Sequence, residues 1–409
     1  MLKFWLKQFS PFPFLLLLLL SHSFRALSQQ IPFSLSSDLN EKKYFTLKQV
    51  LHHGGIISSG KTLFRKLEIE KDGNLVFEGD SLTGNGPSGE YVVNFLGEPR
   101  ESGFGEEIIE RRFPIPDHKD LYSILSLAKM SYNAYLGISG PYEWIDLEDV
   151  DYEKIPFGWE EVGLRGYIFT DPGNSTVIIA FKGTSLKYIY RDGETAPNDK
   201  YNASLLCNRI DLTWKGICNC KRDKLRCDGQ CVLRESKRPD SYFESSLKIY
   251  NWVKSKFPNS TILLTGHSLG GSIASLVALK YNVPAIVFQT PGEMLYAKRI
   301  GLDVNNSSAS NIYHFGHTAD PIFTGDCIGV STCYVWGFAM ETKCHLGKSC
   351  PYDTRNRLGW SSNIKHHSLL TFIEKVIKEW SSITGGEEDV AQCQSETGCT
   401  DCTNWQFEY

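Results

Sequence analysis

The stretch Thr261-Ile-Leu-Leu-Thr-Gly-His-Ser-Leu-Gly270, continued by Gly-Ser-Ile-Ala-Ser-Leu-Val-Ala-Leu-Lys-Tyr281, decides the fold of this chain. An apolar run that predicts a buried strand leads into a Gly-x-Ser-x-Gly frame, and a helix-compatible run follows. Glycines are needed at Gly266 and Gly270, because side chains there would collide with the crossing strand or helix. Such a turn exposes the hydroxyl of Ser268 at the positive end of a helix, which predicts a nucleophile rather than a structural turn.

The apolar runs on either side of this stretch predict an α/β fold. Further buried-strand candidates cover 165–169, 176–181, 285–290 and 311–315, and helices are predicted at about 241–257 and 272–282. Near-continuous apolar strands that alternate with helices indicate a mainly parallel sheet covered on both faces. Two further runs, 121–136 and 369–380, have helical spacing of apolar residues.

Composition and length bound the organisation of the chain. It has 409 residues and a formal net charge of −4, which makes nucleic acid an unexpected partner. We expect no cofactor, no metal and no obligate protein partner. The predicted divisions are a signal peptide or signal anchor (1–28), a β-rich N-terminal extension (29–119), the α/β domain (120–380) with a Cys-rich insert (186–240), and a Cys-containing tail (381–409).

The N-terminus and the cysteines predict a translocated protein. Lys3 and Lys7 precede the apolar run Phe12–Leu20, which is shorter than the ~20 residues of a spanning helix, and Ala26-Leu-Ser28 offers a cleavage site. A cleaved signal peptide is therefore favoured over an anchor. Twelve cysteines fit disulfides in an oxidising compartment. Five sequons predict N-glycosylation, at Asn174, Asn202, Asn259, Asn305 and Asn306.

An activated serine needs a histidine and a carboxylate, and in α/β-hydrolases they follow in the order Ser, Asp or Glu, His. Asp320 comes just past the predicted strand 311–315, and active-site residues of open α/β sheets lie beyond the carboxyl ends of strands. The alternative is that Asp320 only caps a turn before Pro321. Three other aspartates lack this placement: Asp303, Asp326 and Asp353.

Two neighbouring histidines, His366 and His367, directly precede the last amphipathic run, and periodicity does not choose between them. His345 follows Cys344 in a Cys-rich loop, where solvent exposure is the simpler interpretation. Histidines that precede the acid or lie within the turn are assigned structural roles: His267, His314 and His317.

An oxyanion hole requires hydrogen-bond donors that are already in place where the carbonyl oxygen becomes negative. One predicted donor is the backbone N–H of Leu269, directly after the nucleophile. The other is Thr184, which follows the apolar run 176–181 and offers both its N–H and its hydroxyl.

These residues together carry a resemblance to a known family. Phe181-Lys-Gly-Thr184, Gly266-His-Ser-Leu-Gly270, Asp320-Pro321 and the late histidine resemble the class 3 lipases over about 120–380. The block Phe45-Thr-Leu-Lys-Gln-Val-Leu-His-His-Gly-Gly55, the Cys-rich insert, Gly316-His-Thr-Ala-Asp-Pro-Ile-Phe323 and the tail Cys399-Thr-Asp-Cys-Thr-Asn-Trp-Gln-Phe407 resemble the autophagy-related vacuolar lipases of fungi.

The resemblance implies an α/β-hydrolase fold of the class 3 lipase type and favours His367 over His366 as the base. It implies hydrolysis of membrane phospholipids and triacylglycerols, and lysis of autophagic bodies and multivesicular-body vesicles in the vacuole. It also implies a type II membrane protein that travels through endoplasmic reticulum, Golgi and multivesicular bodies. The short apolar segment, followed by a cleavage site, departs from that last pattern.

The insert at 186–240, where class 3 lipases carry a lid, is basic and rich in cysteine. We interpret its cysteines as disulfides rather than zinc ligands, because their spacing is irregular and the compartment is oxidising. Four basic residues form a candidate site for anionic headgroups, phosphoinositides included: Lys221, Arg222, Lys224 and Arg226. A solvated loop is the alternative, and the sequence leaves both open.

The sequence therefore predicts a luminal lipase or phospholipase that acts through Ser268, Asp320 and His367. Two rivals remain. One is another luminal serine esterase, against which the Cys-rich insert and the lipase-like oxyanion motif argue. The other is a non-catalytic lipid-binding module, which requires a complete triad to be coincidental.

Overall fold

A computed structural model describes residues 90–96, 108–114, 117–137, 144–147, 152–159, 162–185, 195–207, 226–305, 307–325, 342–401 and 406–408. The strands within these ranges are β1 (Glu90–Leu96), β2 (Ile108–Pro114), β3 (Glu153–Phe157), β4 (Gly166–Thr170), β5 (Thr176–Phe181), β6 (Arg226–Asp228), β7 (Thr261–His267), β8 (Ala285–Phe288), β9 (Ile312–His317), β10 (Lys348–Tyr352), β11 (Gln394–Ser395) and β12 (Gln406–Glu408).

The α-helices in the same ranges are α1 (Leu121–Asn133), α2 (Ala196–Cys207), α3 (Gly229–Ser236), α4 (Tyr242–Lys256), α5 (Leu269–Tyr281), α6 (Met294–Ile300), α7 (Pro321–Thr324), α8 (Thr354–Leu358), α9 (Leu369–Phe372) and α10 (Trp380–Ile383). Two short 3₁₀ turns cover Ser307–Asn311 and Ile364–His367, and one π-helical turn covers Ile373–Ile377.

Eight strands form the central sheet, in the order β11-β10-β9-β8-β7-β5-β4-β3. The middle of the sheet is parallel, because β5, β7, β8, β9 and β10 all run in the same direction. The edges are antiparallel, at the pairs β3–β4, β4–β5 and β10–β11. Parallel strands place their carboxyl ends at one edge, so the residues that follow β5, β7, β8 and β9 can meet there.

Helices cover the sheet on both faces, and alternate residues of the buried strands supply the two cores. In β7, Ile262 and Leu264 pack on the face that α4 and α5 cover, whereas Leu263 packs on the other. That second face is covered by α1, α9 and the π-helical turn. Both faces of the strands are therefore buried, which explains their continuous apolar sequence.

The predicted α/β-hydrolase fold, with its mainly parallel sheet and helices on both faces, is confirmed in the described residues. The structure differs from the prediction in detail. Helix α5 begins at Leu269 rather than at 272, directly after Ser268. Strands β3 and β10 extend the sheet beyond the predicted strands. Of the predicted β-rich extension, β1 and β2 pair in antiparallel fashion, and the segments 29–89, 97–107 and 115–116 lie outside the described residues.

Within the described residues, two disulfides connect the C-terminal tail to the domain. Cys344 is bonded to Cys399, and Cys350, in β10, is bonded to Cys393. Cys231 of the insert is also disulfide-bonded, as predicted, whereas Cys218 and Cys220 lie outside the described residues. Within the described ranges, no helix combines the length and the apolar character that crossing a membrane requires. The predicted signal segment, 1–28, falls outside those ranges.

Candidate active site

Ser268 stands on the sharp turn between β7 and α5. Its backbone has φ 57° and ψ −129°, in the left-handed half of conformational space that residues with a side chain rarely adopt. The turn closes to backbone contact: a Cβ at Gly266 would lie 2.6 Å from the carbonyl carbon and oxygen of Gly270. A Cβ at Gly270 would lie 2.2 Å from the carbonyl oxygen of Phe181. Only glycine allows the strand, the helix and the end of β5 to approach so closely.

Three side chains from distant parts of the chain form a continuous hydrogen-bonded chain at this turn. The Nε2 atom of His367 is 2.9 Å from the Oγ of Ser268, and its Nδ1 atom is 2.9 Å from Oδ2 of Asp320. Because a carboxylate accepts, Nδ1 carries the proton and Nε2 is left to accept from the serine hydroxyl. Asp320 is fully buried, and only 2% of His367 and 8% of Ser268 are exposed. The geometry suits proton transfer from Ser268 to His367.

Asp320 follows β9, as predicted, and it also caps α7, so its capping hydrogen bond is made in addition to its contact with His367. Its Oδ1 accepts from the N–H of Ile322 at 2.9 Å, while Oδ2 faces His367. Burial raises the pKa of this carboxyl, but the charge and hydrogen bond of His367, together with His317 and the Ile322 N–H, outweigh it and hold the pKa below its ordinary value. Asp320 is thus an anion at neutral pH.

The neighbouring histidine, His366, lies outside this chain of contacts. Its ring stacks on Trp360 with centroids 4.5 Å apart. Its backbone carbonyl accepts from Nε2 of His317, at 2.9 Å, and from Nε2 of Gln289, at 2.8 Å. The structure therefore brings His367, and not His366, to Ser268.

His267, next to the candidate nucleophile, makes a hydrogen bond and a ring contact, as a structural role would require. Its Nδ1 is 2.7 Å from the hydroxyl of Tyr135, and its ring lies 4.7 Å from that of His367, measured between centroids. Burial, with the charge of His367 second, lowers the pKa of His267 well below its ordinary value. A neutral ring therefore lies beside the candidate base.

The segment after β5 packs directly against the turn at 266–270 that carries Ser268, the nucleophile turn. A Cβ at Gly183 would lie 2.4 Å from the carbonyl oxygen of His267 and 3.2 Å from the Cβ of Ser268. The next residue, Thr184, is 5% exposed. Leu269 is the first residue of α5, where a backbone N–H has no acceptor within the helix. Both candidate oxyanion donors therefore lie on segments that meet at Ser268.

A buried ion pair anchors this segment. Nζ of Lys182 is 2.8 Å from Oδ2 of Asp199 and also donates to the carbonyl oxygen of Gly183, at 3.0 Å. The same carboxylate oxygen accepts from the N–H of Ser185, at 3.0 Å. Burial lowers the pKa of Lys182 although Asp199 opposes the effect. Because C=O and N–H of a trans peptide point in opposite directions, holding the Gly183 carbonyl on Lys182 directs the Thr184 N–H away from Lys182.

Three further described histidines have polar contacts outside the Ser268–His367–Asp320 chain: His314, His317 and His345. The prediction that His345 is solvent-exposed is wrong. His345 is 3% exposed rather than solvent-exposed, because the tail covers it and Glu396 binds its Nδ1 at 2.8 Å. His314 is fully buried, with Nε2 3.0 Å from Oε1 of Glu293. Nδ1 of His317 is 3.1 Å from the hydroxyl of Thr354. Of the rejected aspartates, Asp353 caps α8, Asp303 accepts from the N–H of Asn305, and Asp326 lies outside the described residues.

Four of the five predicted glycosylation sites lie within the described residues. Asn259 and Asn305 are exposed in loops, Asn174 is half-buried in the turn between β4 and β5, and Asn306 is outside the described residues. The prediction for Asn202 does not agree with its placement. It is 5% exposed within α2, its amide nitrogen donates to the Asn198 carbonyl, and its oxygen accepts from the N–H of Tyr242.

Little of the predicted headgroup site can be described. Lys221, Arg222 and Lys224 lie outside the described residues. Arg226 is exposed at β6, where its guanidinium is 3.1 Å from Oε1 of Glu408 in β12. That contact joins the insert to the C-terminal tail.

Comparisons with known proteins agree with the resemblance in the sequence. A family model described as "Lipase (class 3)" matches residues 230–286, which include Ser268. A curated relative from Pichia angusta named "Putative lipase ATG15" is 39% identical over 345 residues, which are 81% of this chain and 63% of the relative. Relatives of the same name from Candida glabrata and Saccharomyces cerevisiae are 41% and 38% identical, over 72% and 71% of this chain and 60% and 57% of their own lengths.

The predicted resemblance to the autophagy-related lipases within the class 3 lipases is thus confirmed, and the chain spans about 55 to 63% of the length of the first relatives that it matches. Similar solved structures include a lipase from Rhizopus microsporus var. chinensis, at 14% identity and a TM-score of 0.35, covering 62% of this chain and 87% of that one. The Lip2 lipase from Yarrowia lipolytica is 17% identical with a TM-score of 0.32, covering 58% of this chain and 80% of that one.

Proposed function

We propose that this chain is a lipase that hydrolyses carboxylic ester bonds of lipids with Ser268 as nucleophile, His367 as base and Asp320 as the acid that orients it. The observation that carries the proposal is the chain of contacts from Ser268 Oγ through His367 to Asp320, with 2.9 Å at each step. It is supported by the turn geometry at Ser268 and by the similarity to class 3 lipases.

In the acylation step, His367 Nε2 takes the hydroxyl proton while Ser268 Oγ bonds to the acyl carbon. The anionic oxygen that forms is stabilised by the N–H of Leu269 and by Thr184. Collapse of this intermediate breaks the ester bond, and the imidazolium gives its proton to the departing glycerol oxygen. A water molecule, deprotonated by His367, then attacks the acyl–serine ester, so that a fatty acid leaves and the Ser268 hydroxyl is restored.

The substrates that we propose are membrane phospholipids and triacylglycerols. The proposed setting is the lumen of the secretory pathway, multivesicular body and vacuole, where such hydrolysis would lyse autophagic bodies and vesicles. The support for this setting is the name of the relatives, the disulfides and the resemblance in the N-terminal, insert and tail segments.

The test compares wild type with Ser268→Ala on vesicles of defined phospholipid and on emulsified triacylglycerol, with fatty-acid release as readout. A matched control is Ser275→Ala. Ser275 is also a buried serine of α5, but its hydroxyl donates to the Gly271 carbonyl and has no contact with His367. We expect the first variant to lose activity and the second to keep it.

Three results would count against the proposal. Undiminished release by Ser268→Ala would remove the nucleophile from the account. Release from soluble esters but not from either lipid would favour another serine esterase. Vesicle binding by wild type without any ester hydrolysis would favour a lipid-binding module.

A further inference from the structure

Gln289 occupies an unusual backbone position between the nucleophile and the acid. It directly follows β8, the strand between β7, which leads to Ser268, and β9, which leads to Asp320. Its side chain is fully buried and its φ is +46°. The non-glycine residues with positive φ within the described ranges are Asn174, Ser268, Asn282 and Gln289.

Asparagine tolerates the left-handed region well, whereas serine and glutamine do not. The two strained positions of other residue types are therefore Ser268 and Gln289, and both lie in the candidate site. Residues held in this region commonly serve a functional geometry, because the surrounding structure must enforce it. Here the enforcement includes a hydrogen bond of 2.7 Å from the N–H of Gln289 to the carbonyl of Phe315, in β9.

The carboxamide of Gln289 bridges two parts of the catalytic constellation. Its Nε2 donates to Oδ2 of Asp320, at 2.9 Å, and to the backbone carbonyl of His366, at 2.8 Å. Both partners are acceptors only, so the amide nitrogen and not the amide oxygen must face them. The two hydrogens of one NH₂ group thus hold the acid and the residue that precedes His367.

The turn that carries His367 depends on this contact. Residues Ile364–His367 form a short 3₁₀ turn, and the His366 carbonyl within it receives one donor from Gln289 and one from His317. The imidazole of the next residue must reach Asp320 on one side and Ser268 on the other. A shift of the turn by about 1 Å would misalign the hydrogen bonds of His367 to Asp320 and to Ser268. Misplacement of a catalytic group by this distance can lower the rate of such a reaction by about 10²-fold.

We propose that Gln289 is a positioning residue for the hydrolysis, and that its carboxamide sets the distance between Asp320 and the His366–His367 turn so that the imidazole stays between carboxylate and nucleophile. This inference rests on the proposed function of Ser268, Asp320 and His367. Gln289 itself is buried, and its amide nitrogen donates to Asp320 and to the His366 carbonyl rather than to the candidate nucleophile.

The position of the NH₂ group predicts an electrostatic effect as well as a geometric one. Its positive end lies on the same Asp320 oxygen that accepts from His367, so it stabilises the ionised carboxylate that the mechanism requires. Without it, the Asp320 carboxyl keeps its proton to higher pH. The acid limb of the pH–rate profile should therefore move to higher pH.

Other titratable groups around the pair do not mask this effect. They are His267 on β7, His317 on β9 and His366 in the turn, and burial is the main cause that lowers the pKa of each. Because the pKa of each lies below the ordinary 6.5, all three are neutral at neutral pH and take up protons only at lower pH than an ordinary histidine on the acid side of the profile.

The experiment uses the full chain with two variants and one control, and rates are expressed per active site titrated with a phosphonate ester. Gln289→Met keeps the length of the side chain but removes both donors. Gln289→Asn is shorter by one methylene, so it cannot bridge the two acceptors, and it suits the left-handed backbone better, which protects folding. Thr290→Val is the control, because Thr290 is equally buried and bonds to His314 rather than to the triad.

For both Gln289 variants we expect kcat to fall about 10- to 100-fold, as for the loss of a hydrogen bond to a buried charge, with KM within about twofold of wild type. The acid limb should move up by about half a pH unit or more. Thr290→Val should keep the wild-type limb. If either Gln289 variant keeps the wild-type kcat, or loses rate with an unmoved acid limb, the inference is overturned. If wild type itself shows no Ser268-dependent hydrolysis, the failure belongs to the proposed function instead.

Discussion

Replacing Gly183 by alanine should damage the oxyanion hole more than the fold. The added methyl would lie 2.2 Å from the Tyr135 hydroxyl oxygen and 2.4 Å from the carbonyl oxygen of His267. Cβ contacts under 3.0 Å essentially do not occur, and the carbonyl belongs to the backbone of the nucleophile turn. The segment that carries Thr184 must therefore move by about 0.6 Å or more, the difference between 2.4 and 3.0 Å.

The loss of rate can be bounded from this displacement. Complete loss of one oxyanion donor reduces kcat by about 10²–10³-fold, and a misplacement of about 1 Å reduces it by about 10²-fold. We therefore expect Gly183→Ala to lower kcat by roughly 10- to 100-fold. The overpacking itself should reduce the free energy of unfolding by about 1–3 kcal/mol.

The assay measures kcat per titrated active site on a soluble ester, together with the free energy of unfolding in denaturant. Gly173→Ala is the matched control, because its Cβ would meet only Asp171 Oδ2, at an ordinary 3.4 Å. Adding Tyr135→Phe to Gly183→Ala removes the hydroxyl clash but not the carbonyl clash, so it should restore at most part of the rate. A folded Gly183→Ala enzyme with wild-type kcat would refute the placement of Thr184 in the oxyanion hole.

Two further predictions concern the buried charges. Asp199→Asn should lower the free energy of unfolding by about 3–5 kcal/mol, because it leaves Lys182 buried without its counter-ion. In denaturant unfolding, the double variant Lys182→Met/Asp199→Asn should lose less stability than the sum of the two single losses. Simple additivity would contradict the pairing. Although burial opposes it, Glu396 raises the pKa of His345 above 6.5, while His345 lowers the pKa of Glu396 below 4.5. Their contribution to stability is therefore complete between these ordinary values. It is lost as pH rises through the His345 pKa or falls through the Glu396 pKa. The stability difference between wild type and His345→Gln should be larger at about pH 5.5 than at about pH 9, and a difference that grows with pH would contradict it.

The turn at Ser268 and the position of Asp320 could be predicted because the residues that determine each of them lie close together in the sequence. Glycines at Gly266 and Gly270 are required by contacts within one strand–turn–helix unit. Asp320 could be found because it follows the apolar strand that ends at His317, and strand ends of a parallel sheet meet at one edge. Both inferences depend only on residues within a few positions of each other.

The choice between His366 and His367 could not be derived in that way. The two residues are adjacent in one 3₁₀ turn, and what separates them is the environment of the His366 carbonyl and ring. Its donors, His317 and Gln289, are 49 and 77 residues away, and Trp360 stacks on its ring. Gln289 was missed for the same reason, because its partner His366 lies far away in the sequence. The apolar run 285–290 predicts that Gln289 belongs to a strand, but the strand ends at Phe288.

Strand direction and the burial of His345 could not be predicted from the sequence, for related reasons. An apolar run predicts burial on both faces but contains no signal for direction, so the antiparallel pairing of β4 with β5 could not be foreseen. His345 lies in a polar, Cys-rich segment, and it is buried because Glu396 of the tail folds over it. That contact joins residues 51 positions apart.

Two kinds of contact hold the candidate site together, and they predict how each part of it responds to substitution. The nucleophile turn, the segment after β5 and the start of α5 meet through backbone atoms at Gly183, Gly266 and Gly270, so their relative positions leave almost no freedom for a side chain. The turn with His367 is different, because no such glycine contact fixes it within the described residues. Side-chain donors from Gln289, which follows β8, and from His317, in β9, hold the His366 carbonyl instead. Backbone contact resists small changes and fails abruptly, whereas a hydrogen bond can weaken by degrees. Substitutions at the glycines should therefore act mainly on the oxyanion side of the reaction, and substitutions at Gln289 or His317 on the proton-transfer side.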